Sequence, residues 1–455
     1  MSELYDLSIS RNPASVTRAS FTNALVLGAS ARFSDAYRVY DLTGAVPLAG
    51  MLLDGFVATD PEYLAVARLC SSSVRPTKVV VANATSRPTL RYRVVPVTVA
   101  NNTTYKLTLT VAGVSQTASY TSDSTATGAE VVAGLKAAVD GLSLAGVVTT
   151  TGTTWVDVAA STAGVFFSLV VGDRTLLTQE MVHADPGVAA DLSALALAVQ
   201  ASNGAADFYV VLLCFPSTAT VLAAAAWTEA NQRLLLFSTA DTRSVRAYDS
   251  SSPDICTQLY NAAYARTACL WHHDPGSFAA AGWAGRCLPL TPGTETWLAK
   301  TIGGLTISSL TGSERAQLQA RRTTYYVADH GLNLTVGEPG AQTFSGEYLD
   351  NRRGIDALSA ATGEDYVAAF GDVDVKFPYD DTGFQQLAGI IEHTWRGYES
   401  DSGQPRLLLK DSVVLSVPRL SQVSDADRAA RRVPITISAS LANAAHKAVI
   451  TGRLQ

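Results

Sequence analysis

The feature that most constrains this chain is a series of short, wholly apolar segments separated by stretches of helical periodicity. Apolar runs at 24–27, 78–81, 208–213, 233–237 and 267–271 read as strands, and 189–201, 217–231 and 254–265 read as amphipathic helices, the first closed by Asn203-Gly204. A strand that is apolar on both sides must be covered on both faces. That is the condition of a mostly parallel sheet between helical layers. A further helix is predicted over 59–70, with Thr59 and Glu62 as a capping box and Tyr63, Val66, Ala67 and Cys70 along one face.

Between 81 and 189 the character changes to Thr, Val and Gly. Strand signals at 105–111 and 116–120 flank the turn Ala112-Gly113-Val114, a helix is predicted over 127–139, and further strands near 147–150, 155–159 and 165–170. An α+β module inserted into the α/β core is the expectation, since insertion at a surface loop costs little. The expected division is an arm at 1–22, a discontinuous α/β core at 23–88 with 187–290, the inserted module at 89–186, a C-terminal α/β domain at 291–430 and a closing strand pair at 431–455. The last third carries a capped helix over 311–321. A second helix begins near Thr382, with Phe384, Leu387, Ala388, Ile391, Trp395 and Tyr398 as its apolar stripe.

Over 455 residues, 16% charged and 47% hydrophobic with a net charge of −6, the chain carries only a weak field and no basic tract. Nucleic acid and anionic membrane are therefore not expected as partners. No apolar run approaches the roughly 20 residues of a membrane span, and the start, with Glu3 and Asp6, has no secretory apolar segment, so a cytoplasmic beginning is expected. Five irregularly spaced cysteines fit reduced core thiols better than a disulfide framework.

Catalytic chemistry finds little footing. The strand ends Leu27-Gly28-Ala29-Ser30 and Val81-Ala82-Asn83 lack a dinucleotide fingerprint, and neither a phosphate loop nor a Gly-x-Ser-x-Gly elbow occurs. Cys269, His272, His273 and Cys287 are the best metal candidates, yet a thiol beside Leu270 and Trp271 usually serves as a small core hydrophobe. Among the acids, Asp372, Asp374, Asp380, Asp381, Glu347, Asp350 and Asp356 could supply a carboxylate pair. Asp381 reads better as a helix-start charge, and Asp350 with Arg352 and Arg353 as an exposed ion-pair face. No cofactor and no catalytic residue are expected. Trp297 reads as a core or interface anchor.

The segment from Gly293 through Trp297, Lys300 and Gly304 to Thr306 resembles the Trp-x-x-Lys-x-x-x-Gly-Val/Leu-Thr stretch of contractile tail sheath proteins of bacteriophages and related injection machines. Thr343 to Asp356 is similar to that family's Gly-x-Phe/Tyr-Ile/Leu-Asp-x-x-Arg-Gly-x-Asp run, through Gly346, Asp350, Arg353, Gly354 and Asp356. It departs at Ala357-Leu358, where the family often has a tryptophan. Residues 6–10 and 19–28 look like the family's start, and 433–454 like its closing strands.

The resemblance implies a subunit of hexameric rings stacked helically around a tail tube, built in the host cytoplasm and carried in the virion tail, which shortens on triggering to drive the tube through a cell envelope. Its implied partners are further copies of itself, the tail tube protein, and baseplate and tail-terminator proteins. Terminal arms of such subunits add strands to neighbours. The residues support this separately: Tyr5, Leu7 and Ile9 alternate at one extremity, and Val433, Ile435 and Ile437, followed by Val449 and Ile450, at the other. Competing expectations are a non-sheath tail or baseplate binding protein, and a zinc-dependent α/β enzyme.

Overall fold

The computed structural model describes residues 19–85, 87–184, 187–202, 206–371, 376–401 and 403–446. The chain divides into two units, Ser20–Arg352 and Arg353–Gln455, the latter taking Met1–Ala19 as well. Tyr5, Leu7, Ile9, Val449, Ile450, Asp372 and Asp374 lie outside the described residues.

In the larger unit, β1 (Ala24–Gly28) is followed by β2 (Tyr37–Asp41), α1 (Ala49–Leu53), α2 (Pro61–Leu69) and β3 (Lys78–Asn83). The chain then forms β4 (Arg91–Pro96), β5 (Thr104–Val111), β6 (Val114–Thr121), α3 (Gly128–Gly141), β7 (Val147–Thr151), β8 (Val156–Ala160), β9 (Phe167–Val171) and β10 (Leu177–Met181). Helices and strands alternate from there: α4 (Val188–Ala201), β11 (Val210–Leu213), α5 (Thr218–Ala230), β12 (Leu234–Thr239), α6 (Ile255–Asn261), β13 (Thr267–Trp271), α7 (Ala279–Cys287), α8 (Gly312–Ala320), β14 (Thr324–Asp329) and β15 (Leu332–Val336).

One eight-stranded sheet runs β2-β3-β1-β11-β12-β13-β14-β15. Every neighbouring pair from β3 to β14 is parallel, and only the edges β2 and β15 are antiparallel. Alternate residues of its strands enter two different clusters. Val26, Val81, Leu212, Leu236 and Leu270 join α2 and α7 in one, while Leu25, Val80, Val211, Leu235 and Cys269 join α4, α5 and α6 in the other. Both faces are thus covered, which is why these strands read as continuous apolar runs rather than alternating ones. Each fully buried Leu or Val side chain contributes about 1.5–3 kcal/mol.

Residues 91–181 build two further antiparallel sheets, β10-β4-β8-β7 and β6-β5-β9, with α3 packed on them. Helix α3 has the capping box Thr127/Glu130. Its Val131, Leu135 and Val139, with Tyr105, Leu107 and Leu169, belong to the same cluster as α2 and α7. Thr242 binds the Gln179 backbone at both its N–H and its hydroxyl, and Arg243 pairs with Glu180 at 2.6 Å.

Several expectations change. The α/β sheet does not stop near 290: it takes up β14 and β15, so the first part of the expected 291–430 domain belongs to the large sheet. The capping box Thr59/Glu62 does not form, because Asp60 is the N-cap of α2 and Glu62 is fully buried beneath β1. The buried face of α2 accordingly shifts to Ala65, Val66 and Leu69. Helix α7, absent from the sequence reading, buries every residue except Arg286 and shows no polar face to mark a period.

The smaller unit comprises the greater part of α9 (Leu349–Gly371), then α10 (Asp381–Arg396), β16 (Val414–Ser416), α11 (Asp425–Ala429) and β17 (Thr436–Ser438). Among the described residues one apolar cluster gathers Leu358, Leu407, Leu408 and Val413, with Trp395, Tyr398, Ile437, Ala439 and Leu441 half-buried against them, and Ala357, Phe384, Leu387, Ala388 and Val423 are buried as well. Thr394 donates its hydroxyl to Asp365 at 2.8 Å, tying α10 to α9. Asp380, not Asp381, caps α10, its carboxylate accepting the Gly383 N–H at 2.9 Å. Asp381, the first helical residue, accepts instead from the Leu420 N–H.

Candidate functional site

The residues that carry the sheath resemblance fall into structurally connected segments. Trp297 is fully buried, packed edge-on against Trp283 of α7 at 5.5 Å, and its indole donates to Glu295 at 3.1 Å. Trp283 in turn donates to the Trp297 carbonyl at 2.8 Å. The following residues lie along β15: the Ala299 N–H donates to the Thr335 carbonyl, the Thr335 N–H to the Lys300 carbonyl, and the Lys300 N–H to the Thr335 hydroxyl. Residues 299–300 therefore satisfy part of the outer edge of β15.

The pair Gly303-Gly304 is there for backbone reasons. Gly304 has φ +63°, and a Cβ on Gly303 would stand 2.0 Å from the Ser71 carbonyl oxygen at the end of α2. Arg68 closes the same corner, donating to the carbonyls of Gly303 and Ser277. A bulkier residue at 303 would have to push backbone against backbone.

Gly346, at φ +98°, turns the chain between β15 and α9. Just before it, Phe344 is buried against Phe237, and its N–H donates to the Thr267 carbonyl. Helix α9 then opens at Leu349, inside the motif itself. Asp350 is only 6% exposed and Arg353 fully buried, so the expected exposed ion-pair face is not formed; Glu347 takes Arg352 instead. Gly354 is buried and Asp356 half-buried. Burial pushes the Asp350 carboxyl up to about 6, with the nearby Glu295 carboxylate adding to it, against the downward pull of backbone N–H hydrogen bonds, first that of Asn351, and a smaller one from Lys300.

At the chain's end, Val433 and Ile435 line a groove of about 930 Å³ with Tyr366, Phe370, Phe384 and Leu387, and with Lys376, Arg431 and Arg432 beside them. Ile437 sits in β17, which pairs antiparallel with β16 of the same chain, Ile437 opposite Leu415. The strict alternation of 433–441 thus yields a three-residue strand that already has an intramolecular partner. Pro434 lies outside it, where no ladder donor is needed.

The metal candidates go separate ways. Cys269 lies 4.0 Å from Cys256, Cys287 faces the Thr296 carbonyl at 4.0 Å, the His272 ring sits between the Thr306 carbonyl and Ser277, and His273 meets Ser308. Among the described residues no group of three or more His, Cys, Asp or Glu side chains is arranged to hold a metal ion. Burial pushes both imidazoles down, His273 to about 4, so they are neutral at pH 7. At the carboxyl end of β1, where an α/β sheet would place a phosphate, stands the buried Glu62, accepting from the Ser30 N–H at 2.8 Å and its hydroxyl at 2.6 Å. A Cβ on Gly28 would lie 1.9 Å from that carboxylate. The crevice is filled by the Glu62 side chain. No helix among the described residues is long and apolar enough to cross a membrane.

A discontinuous, mostly parallel sheet with helices on both faces, followed by a small helical and β unit, has structural neighbours among the sheath proteins of contractile injection systems. The chain resembles the PVC sheath of an extracellular contractile injection system in its contracted state with a TM-score of 0.50 at 8% identity, over 100% of this chain and 98% of that one. The contracted helical sheath of the anti-feeding prophage gives 0.49 at 9% identity, with 100% of both chains covered. A sheath tail protein from Desulfitobacterium hafniense gives 0.41 at 10%, over 96% of this chain and 100% of that one. At such identities the likeness is one of fold. No family model and no curated protein matches the sequence.

Proposed function

We propose that this chain is the sheath subunit of a contractile tail or injection machine. Copies polymerise as stacked hexameric rings around a tail tube, on a baseplate and below a terminator, and contraction drives the tube through a cell envelope. The observation that carries the reading is the fold likeness to a contracted sheath over essentially the whole of both chains. The Trp297–Thr306 and Thr343–Asp356 motifs, placed at the packing corner of α2 and α7 and at the start of α9, support it.

In this reading 89–186 is the outward-facing module, 1–22 and 431–455 are exchange arms, the latter through the edge of β17 that β16 does not pair, and the body has no catalytic role. The groove beside Val433 and Ile435 is the receiving surface for a neighbour's arm. Its aromatic and aliphatic lining suits the alternating Tyr5, Leu7 and Ile9, and Lys376, Arg431 and Arg432 suit Glu3 and Asp6. Energy is stored on assembly in the extended lattice, so contraction needs no nucleotide.

The test is negative-stain microscopy of the purified full-length protein beside deletions of residues 1–12 and of the last ten. The full chain is expected to form tubes and both deletions to remain folded without tubes. Long tubes from both deletions would overturn the arm exchange, and failure of the full chain to polymerise with or without its tube would overturn the sheath assignment.

A further inference from the structure

The sulfurs of Cys256 and Cys269 lie 4.0 Å apart. Cys269 is central in β13, held between β12 and β14, while Cys256 stands in the first turn of the seven-residue helix α6. Both thiols are reduced and buried, in a cluster with Ile255, Leu259, Leu235 and Phe237. A disulfide needs the sulfurs about 2 Å closer, at about 2.05 Å, with Cβ atoms about 3.5–4.5 Å apart. Closing that gap calls for rotation of the two side chains together with a shift of α6 toward β13. Nothing in the sheath reading uses this pair, and the inference does not depend on it.

We propose that Cys256 and Cys269 are a latent disulfide site that joins α6 to β13 on exposure to a small-molecule disulfide. The reaction needs α6 to open locally, since neither sulfur meets solvent in the closed state. The Cys256 thiol loses its proton and attacks one sulfur of the oxidant, whose S–S bond breaks and releases one thiolate. The Cys269 thiol then loses its proton and attacks the Cys256 sulfur of the mixed disulfide, releasing the second thiolate. The two protons go to the two departing thiolates, the protein pair is oxidised by two electrons, and one oxidant disulfide is reduced to two thiols. Burial and the neighbouring Cys256 raise the Cys269 thiol well above its ordinary range, so closure is slow and gated by the helix. The ring closes over a sequence separation of only 13 residues, so the gain is local tethering of α6 more than a large restriction of the unfolded chain.

The experiment incubates the folded full-length protein with glutathione disulfide at pH 8, quenches with acid, and counts thiols after denaturation, with peptide mapping by mass spectrometry. The five thiols are expected to fall to three, with one linked peptide pair containing Cys256 and Cys269, and amide exchange in α6 is expected to slow several-fold. Cys256→Ser should keep its four thiols under the same treatment, whereas Cys269→Ser should stop at a glutathione adduct on Cys256 with no linked peptide pair. In the unsubstituted protein, retention of all five thiols, a link between any other two cysteines, or a stable glutathione adduct on Cys256 without closure would each overturn the proposal.

Discussion

The two units differ in how they use apolar surface. In Ser20–Arg352 both faces of the sheet are sealed, tryptophans 271, 283 and 297 are fully buried, and the fully buried Arg321 and Asp254 lie 3.4 Å apart with Thr257 between them. In Arg353–Gln455 the buried apolar side chains among the described residues are fewer, with Leu358, Leu407, Leu408 and Val413 in one cluster and Phe384, Leu387 and Ala388 on α10, and aromatic side chains line a groove. The contrast teaches that one part of the chain is finished by its own sequence and the other presents surface for something else to finish. A three-stranded or larger sheet is usually needed for independent stability, and β16 with β17 supplies only two short strands.

The comparison can be broken most forcefully at Trp297. Trp297→Ala removes half of a buried aromatic pair and leaves a cavity, and is expected to cost about 3–5 kcal/mol in the denaturant midpoint of the larger unit. A loss below 1 kcal/mol would mean that this unit is not the tightly packed one. Next comes Leu408→Ala, expected to cost about 2–4 kcal/mol in the smaller unit only, read as a downward shift of the earlier of two calorimetric transitions. A single shared transition would erase the distinction between the units.

Proton linkage gives a sharper and smaller probe. Asp350 folds with its carboxyl raised to about 6, so between the ordinary carboxyl range and 6 the folded state holds a proton that the unfolded state has released. Its contribution is favourable at low pH and is lost as pH rises through 6. Asp350→Asn is therefore expected to stabilise the larger unit by about 1–3 kcal/mol at pH 7.5 and by about half as much at pH 5, measured by urea unfolding at the two pH values. Equal effects at both would exclude a buried, raised carboxyl. The smallest effect is expected at the helix caps: Thr311→Ala and Ser424→Ala each remove an N-cap acceptor, at about 1 kcal/mol. The same loss should displace the smaller unit's midpoint further, because it unfolds with less cooperativity to spread it over.

Sequence reading reached the parallel core because burial on both faces leaves an unmistakable apolar signature in β1, β3, β11, β12 and β13. It reached α8 because its capping box is local. It failed where tertiary contacts overrode local chemistry. Glu62 has the spacing of a capping residue but is recruited by Ser30, and Asp350 and Arg353 have the composition of a surface turn but enter a buried helix start. Helix α7 has no polar face to betray its period, and β4 and β10 pair with strands remote in sequence, which no window of neighbouring residues contains. For the candidate site, Trp297 was legible as an anchor, while the groove was not, since it is assembled from two helices and the segments 376–379 and 431–435, which no short sequence window joins.

The glycine corner has a mechanical corollary. Gly285 of α7 and Gly303 each lie flat on a carbonyl at the carboxyl end of α2, where an added methyl would stand 1.9 and 2.0 Å from oxygen. Where main chain bears directly on main chain there is no pliable side chain to compress. A thrust arriving at one of these three segments is handed on undiminished to the others, so a subunit working under load would behave there as a strut, and its give would have to come from elsewhere.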